Sequence, residues 1–447
     1  MFRRIVVFVL GIALLAASPG VAHAGERRVK ERVGLLVADH GEPPEYNQFT
    51  YWSFREFIRH LVEMGFIPFW LTVHDAGTIL QDQSCYACES PSSDPELIDA
   101  WLRPHAGPAV FVRGSSQLPS HYVLPGGPGL GEPDFYEIVG LGAWHEWQQM
   151  GGRSPNYDQK LAKKKAVIRR LARSFPDVPV RVGYGIDPRL GGGHQGLREA
   201  VNRLINADRV DHIVVAYHGV GFSDVMQTHM IRHEVKELAG RFDPEVTVSF
   251  AKPIGTRQSY MDEVAEKVAL EVSRLPRDAA VAVHLSGHGL PLDRCGDYDC
   301  AGDRYHRFSS RLFGAARAAI KRRVAHEGKL GVFHLYGEGA ADDADPEDKM
   351  DSPMEALAKR KKAGFDYVID VPYEFDSDSR DTLIILRHGY EREIPDWDHR
   401  FESRFEYDGM GVKITNASFG ARGKTQAFYE VVRNALRDRS GKGHAHG

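Results

Sequence analysis

Cysteine is scarce in this chain, four residues in 447. That is too few for a small disulfide scaffold and too few for a multi-zinc module. An excess of one charge sign is also missing: 57 Lys and Arg stand against 61 Asp and Glu, a formal net charge of −4. No basic field points to nucleic acid, and none is expected as a partner. Beyond the first two dozen residues no apolar run is long enough to cross a bilayer, so no membrane span is expected in the mature form. There is no Gly-x-Ser-x-Gly elbow and no HExxH, which leaves a serine hydrolase or a zincin nothing to stand on. The glycine-rich stretch GYGIDPRLGGGHQG lacks the lysine and spacing of a P-loop and the GxGxxG dinucleotide pattern. No nucleotide, redox group or other obligatory cofactor is implied.

What is present begins with a targeting segment. Arg3 and Arg4 precede the apolar stretch Ile5 to Ala17, and Ala22-His23-Ala24 follows as a small-residue cleavage site. Residues 1–24 read as a secretory signal peptide, with an uncleaved anchor as the alternative. The mature chain from Gly25 is then exported, most simply to the periplasm. The cysteines fit that address as two close pairs, Cys85 with Cys88 in SCYACES and Cys295 with Cys300 in CGDYDC. An oxidising compartment favours two disulfides. A four-cysteine metal site is the alternative. Covalent haem attachment is excluded at CYAC, because Glu89 stands where a histidine is needed.

The remaining composition, 42% hydrophobic and 26% charged, is that of a globular protein long enough for two cores. Short apolar runs predict strands over 32–39, 180–185, 212–218, 246–253, 280–287, 330–337, 367–374 and 412–418. Three- and four-residue apolar spacing predicts helices over 160–174, 195–205, 261–274, 311–326, 354–363 and 424–438. Buried strands alternating with helices predict an α/β protein with parallel sheets covered on both faces. Two halves are expected, 25–276 and 277–447, joined near Leu275–Arg277. A Gly- and Pro-rich insertion at about 75–150 interrupts the first half, and a loose tail ends the second.

Two strands run into a histidine beside glycine and a proline: VGLLVADHGEP with His40, and VAVHLSGHGLP with His288. His218 sits similarly in AYHGVGF. In open α/β sheets, strand ends of this kind face the ligand crevice. Glycines flanking His288 clear space around an imidazole able to take a proton or bind a metal near neutral pH. The plain alternative is a histidine that only closes a strand. Two acidic loops follow later strands, one with Glu338, Asp342, Asp343 and Asp345, the other with Glu374, Asp376, Asp378 and Asp381. One histidine with several carboxylates suits ferrous, cobalt or similar ions. Most of these carboxylates are expected at solvated surface, with one or two reaching the crevice.

These residues carry a resemblance. SGHGLP at 286–291 is similar to the strand-end motif that holds the catalytic histidine of ferrochelatases. LLVADHGEP resembles that family's first strand and loop, MGGRSPNYDQK its Gly-Gly-x-Ser-Pro segment, and VIDVPYEFDSDSRDTL its Pro-x-x-Phe-x-x-Asp segment. The four lie in family order and span most of the mature chain, outside the insertion. The resemblance implies two Rossmann-like domains with a cleft between them. It implies insertion of a divalent metal, Fe2+ first and Co2+ next, into a porphyrin or other tetrapyrrole. His288 falls on the catalytic histidine. Asp381 falls where the family has glutamate, and Glu374 stands close enough to compensate. YGEG with Glu338 resembles an acidic metal-side residue of the sirohydrochlorin chelatases, as does the DHGEP loop with His40. The implied metal and proton handlers are therefore His288, Glu338, Glu374 and Asp381, with His40, His218 and Ser154 toward the ring. A cobalt or nickel chelatase for a sirohydrochlorin-like ring, and an exported tetrapyrrole- or metal-binding protein without catalysis, are the alternative readings.

Overall fold

A computed structural model describes residues 31–39, 42, 110–112, 121–123, 147, 150–184, 196–221, 231–287, 305–336, 351, 353–379, 382–383, 390, 403–417 and 422–441. The expected signal segment, all four cysteines, His40, His288, Glu338 and Asp381 lie outside them.

The first sheet is built around β1 (Val33–Asp39), where Leu35 and Val37 face one way, Leu36 and Ala38 the other, and all four are fully buried. Burial on both faces requires a central strand of a covered parallel sheet. A short antiparallel pair, β2 (Val110–Val112) with β3 (His121–Val123), lies in the expected insertion. Then come α1 (Pro155–Ser174), β4 (Val180–Tyr184), α2 (Leu197–Asn202), β5 (His212–Tyr217), α3 (Glu234–Phe242), β6 (Thr247–Phe250) and α4 (Gln258–Val272). The sheet order is β4-β1-β5-β6, every pairing parallel.

The second sheet repeats the plan. It is built from β7 (Val281–Gly287), α5 (Tyr305–Arg323), β8 (Leu330–Tyr336), α6 (Pro353–Lys362), β9 (Tyr367–Val371), β10 (Ser403–Tyr407) and β11 (Met410–Ile414), and α7 (Arg422–Gly441) ends the described chain. Its order is β10-β11-β9-β7-β8. Counted from its first strand, and leaving β10 out of the count, each sheet runs second, first, third, fourth. β1 and β7, the strands that lead to the two His-Gly motifs, occupy the same place. The difference is β10, an added antiparallel edge joined to β11 through Asp408 and Gly409. Both turn residues have positive φ, 48° and 74°, the geometry of a type I′ hairpin.

Helix α1 begins five residues before the apolar spacing predicts. Ser154 caps it, accepting from the Asn156 backbone N–H at 3.2 Å, and Pro155 opens the first turn. The helix expected over 195–205 becomes α2 followed by one wide turn, Arg203–Ala207. Helices α2 and α3 cover the outer face of the first sheet and α6 that of the second. The inner faces of both sheets meet one apolar cluster, filled by α1, α4, α5 and α7. The α/β expectation with parallel sheets flanked by helices is what the structure shows, with β10 the antiparallel departure within the two main sheets and β2-β3 a separate antiparallel pair. Among the described residues no helix is long and apolar enough to cross a membrane.

Candidate functional site

The shared strand order places a crevice at the carboxyl ends of the first and third strands of each sheet. In the first sheet those ends carry Asp39 and His218. Asp39 faces the helix layer, following Leu35 and Val37 at two-residue spacing, and α1 brings lysines down onto it. Lys160, Lys163 and Lys164 continue the stripe of Val167 and Leu171, so the helix face that is apolar at one end is cationic at the other. Lys160 Nζ lies 3.0 Å from Asp39 Oδ1 and Lys164 Nζ 2.5 Å from Oδ2. Lys163 reaches Asp376 Oδ2 at 3.0 Å, and Lys160 is 3.8 Å from its other oxygen. His218 Nε2 is 3.2 Å from Asp376 Oδ2 and Nδ1 is 3.7 Å from Asp39 Oδ2. The Phe428 ring of α7 stacks on the imidazole at 4.4 Å.

Burial opposes charge throughout this network, and the balance between burial and pairing differs from group to group, burial winning at Lys164. Burial raises the Asp39 carboxyl, yet Lys160 and Lys164 outweigh it and hold the group well below the usual carboxylate range. Asp376 is likewise held down, against burial, chiefly by Lys163 and Lys160. Burial lowers Lys160, but the two carboxylates win and raise it. His218 goes the other way: burial dominates Asp376 and pushes it down to about 4. The imidazole is therefore neutral between two ionised carboxylates.

Three alternate carboxylates of the segment after β9 are buried, Glu374, Asp376 and Asp378, where Glu374 was expected in the site and most of the others at solvated surface. Asp376 joins the network just described. Asp378 accepts from Gln159 of α1 at 3.0 Å and from the Ala417 backbone N–H at 2.6 Å. Glu374 turns instead to the end of β7, where a Cβ built on Gly287 meets its carboxyl carbon at 2.7 Å. Tyr305 donates to Glu374 Oε2 at 2.6 Å, while Ser309 and Tyr373 donate to Oε1. The main chain of the segment is fixed by Tyr260, which donates to the Tyr373 carbonyl, and by Lys424, which donates to the Phe375 carbonyl at 2.7 Å. One short segment thus reaches the strand ends of both sheets.

A third polar group lies on the opposite face of β7 and β9. Ser286 donates to Asp370 Oδ1 at 2.5 Å, Tyr390 donates to Oδ2, and His284 lies 3.4 Å from the Tyr390 hydroxyl. Burial raises the Asp370 carboxyl to about 6 against both hydrogen bonds.

Of the residues expected in the site, Glu374 lies at the end of β7. His218 is enclosed by Asp39, Asp376 and Phe428 rather than presented to a ligand. Ser154 is fully buried, donates to Glu42 and caps α1, so its place is explained by the helix start. His40, His288, Glu338, Asp381 and the cysteine pairs are outside the described residues. Among the described residues no group of three or more His, Cys, Asp or Glu side chains is placed to hold a metal ion. The lysines of α1 were not expected in a site. Their signal was positional: a charge run resting on the same helical stripe as Val167 and Leu171.

No family model matches the chain, and no curated protein does. Among solved structures it is similar to SirB from Bacillus subtilis with Fe3+, at 14% identity and a TM-score of 0.42, over 63% of this chain and 91% of that one. It is also similar to the sirohydrochlorin chelatase SirB from Bacillus subtilis subspecies spizizenii in complex with cobalt, at 13% identity and a TM-score of 0.39, over 63% and 91%. A putative LacI transcriptional regulator from Bacteroides fragilis follows at 10% identity and a TM-score of 0.23, over 66% and 85%. Likenesses at this level carry no argument, and the reading below rests on the chain's own residues.

Proposed function

We propose that this chain is a metal chelatase that inserts a divalent ion into a tetrapyrrole, with Fe2+ and a porphyrin favoured. Cobalt or nickel with a sirohydrochlorin-like ring is the alternative that the YGEG and DHGEP stretches support. The observation that carries the reading is the buried Glu374 carboxylate packed on Gly287, the residue that precedes His288 in SGHGLP. A base next in sequence to a strand end, with a carboxylate held at that end, suits a reaction that must remove two protons from pyrrole nitrogens while an ion enters.

In this reading His288 receives the ion or the first proton, and Asp381 and Glu338 supply further carboxylates. Glu374 takes protons and does not ligate, because three hydroxyls already hold it. The cation-rich network at Asp39 and Asp376 fixes the floor of the first sheet's crevice. Binding energy from the ring's periphery would be spent on bending the macrocycle. The mature protein is exported, and the ring and the ion reach it outside the cytoplasm.

The test mixes purified protein with Fe2+ or Co2+ and metal-free protoporphyrin or sirohydrochlorin under anaerobic conditions, following the absorption bands. Insertion into one ring, lost in His288→Ala, supports the reading and assigns the ring. Tight binding of a ring with no insertion by any ion makes the chain a binding protein instead.

A further inference from the structure

Glu374 and His334 are bridged twice. Glu374 Oε1 accepts from the Ser309 hydroxyl and, at 3.1 Å, from the Tyr373 hydroxyl. Both of those oxygens also lie 3.1 Å from His334 Nε2. One hydroxyl is enough to hold a carboxylate. Two hydroxyls between the same pair of titratable groups allow one hydrogen to rest on the carboxylate while the other rests on the imidazole. The two ends differ in setting. Glu374 is buried against Gly287 at the end of β7. His334 is on β8, the edge strand, partly exposed and stacked on Phe313 at 4.8 Å.

We propose that Glu374, the Ser309 and Tyr373 hydroxyls and His334 form a proton conduit from the end of β7 to the surface at β8, and that it removes the protons released when the ring takes its metal. The conduit rests on the chelatase reading. In each passage the proton on the Glu374 carboxyl moves to a hydroxyl oxygen as that hydroxyl's own hydrogen moves to His334 Nε2. One O–H bond breaks and one forms at the hydroxyl, leaving a carboxylate and an imidazolium. The partly exposed imidazolium then turns outward and releases that Nε2 proton to water, and it returns as the Nδ1–H tautomer with Nε2 again bare toward the two hydroxyls. Two passages clear the two protons of one insertion. Burial, with the Glu374 charge, holds the Tyr373 phenol well above its ordinary range, so it gives up one hydrogen only as it receives another.

The parallel bridges make a sharp expectation. Ser309→Ala and Tyr373→Phe should each slow insertion only a few-fold, because one path remains. The double variant, and His334→Gln, should slow it roughly a hundredfold, the scale of a lost acid–base step. Tyrosine fluorescence and ring binding, read by quenching of the metal-free porphyrin, should show a folded protein that still binds. His334→Ala should recover rate on adding imidazole to the buffer, which a purely structural histidine would not do. Full activity in the double variant and in His334→Gln overturns the conduit while leaving the chelatase standing. Loss of rate that tracks loss of ring binding, without recovery by imidazole, also overturns it. If the double variant does not fold, the imidazole response of His334→Ala decides. A wild type that inserts neither Fe2+ nor Co2+ into either ring removes the chelatase reading and the conduit with it.

Discussion

Gly287 shows how little room the end of β7 leaves. An added methyl group there would lie 2.7 Å from the Glu374 carboxyl carbon, closer than atoms tolerate. Its backbone is ordinary strand, so the main chain of Gly287→Ala should hold and the carboxylate should move. Displacement by about 1 Å is expected to cost on the order of a hundredfold in the rate of the proposed insertion. Unchanged circular dichroism with wild-type activity would show that the position of Glu374 does not matter.

His218 makes a second residue-scale prediction. Its folded value of about 4 lies below the 6.5 of a free imidazole. Between those values the unfolded chain binds a proton that the folded chain refuses, so stability falls as pH falls through that window. The shift amounts to roughly 3 kcal/mol in full, and most of it is spent by pH 4.5. Burial lowers His284 to about 3, with the same sign, while Asp370, raised to about 6, opposes it. The histidine's own share is isolated by comparison. His218→Gln should be less stable than wild type at pH 7, and the gap in urea midpoint should narrow toward pH 5. A gap independent of pH would mean that the ring titrates normally.

At the scale of elements, legibility depended on whether burial and residue type agreed. β1 and β7 were readable because apolar runs stop at His-Gly, and the alternation of strands with helices gave both parallel sheets. β10 was missed because an edge strand alternating with exposed Arg404 and Glu406 has no apolar run, although Asp408-Gly409 between two alternating stretches is a hairpin signal. Helix α3 was missed at nine residues, too short for its spacing to stand out. The buried lysines of α1 and the carboxylates at 374, 376 and 378 were illegible for another reason. Their partners are as many as 219 residues away, and only the fold brings them together. The hairpin supplies this scale's test. Gly409→Ala forces a side chain into φ 74° and should cost about 1 kcal/mol in chemical denaturation, with activity retained. A change of several kcal/mol would mean that β10 supports more than its own edge.

At the scale of the whole molecule, the question is whether the halves divided at 276 and 277 behave as two bodies. Leu35, Val37, Val214 and Ala216 of the first sheet share one apolar cluster with Val281, Val283, Leu285 and Ile369 of the second. Helix α7 follows the second sheet in sequence yet packs on α1, α4 and β5. Its Phe428 closes over His218, and Asp376, from the second half, completes an ion network begun at Asp39. Separating the halves would leave Lys163 and Asp376 unpaired in the open core. Opening the halves would also expose the apolar cluster they share, so separation carries a large cost. Chains of this length often unfold in stages. Here the shared core predicts one transition, with fluorescence and far-ultraviolet circular dichroism coincident in urea. Phe428→Ala should move that whole transition, by about 3–5 kcal/mol, because the ring belongs to both halves. Two resolved transitions, one of them unmoved by Phe428→Ala, would show that each sheet carries its own stability and that the strand-end segment 372–379 is a contact between domains rather than part of a common core.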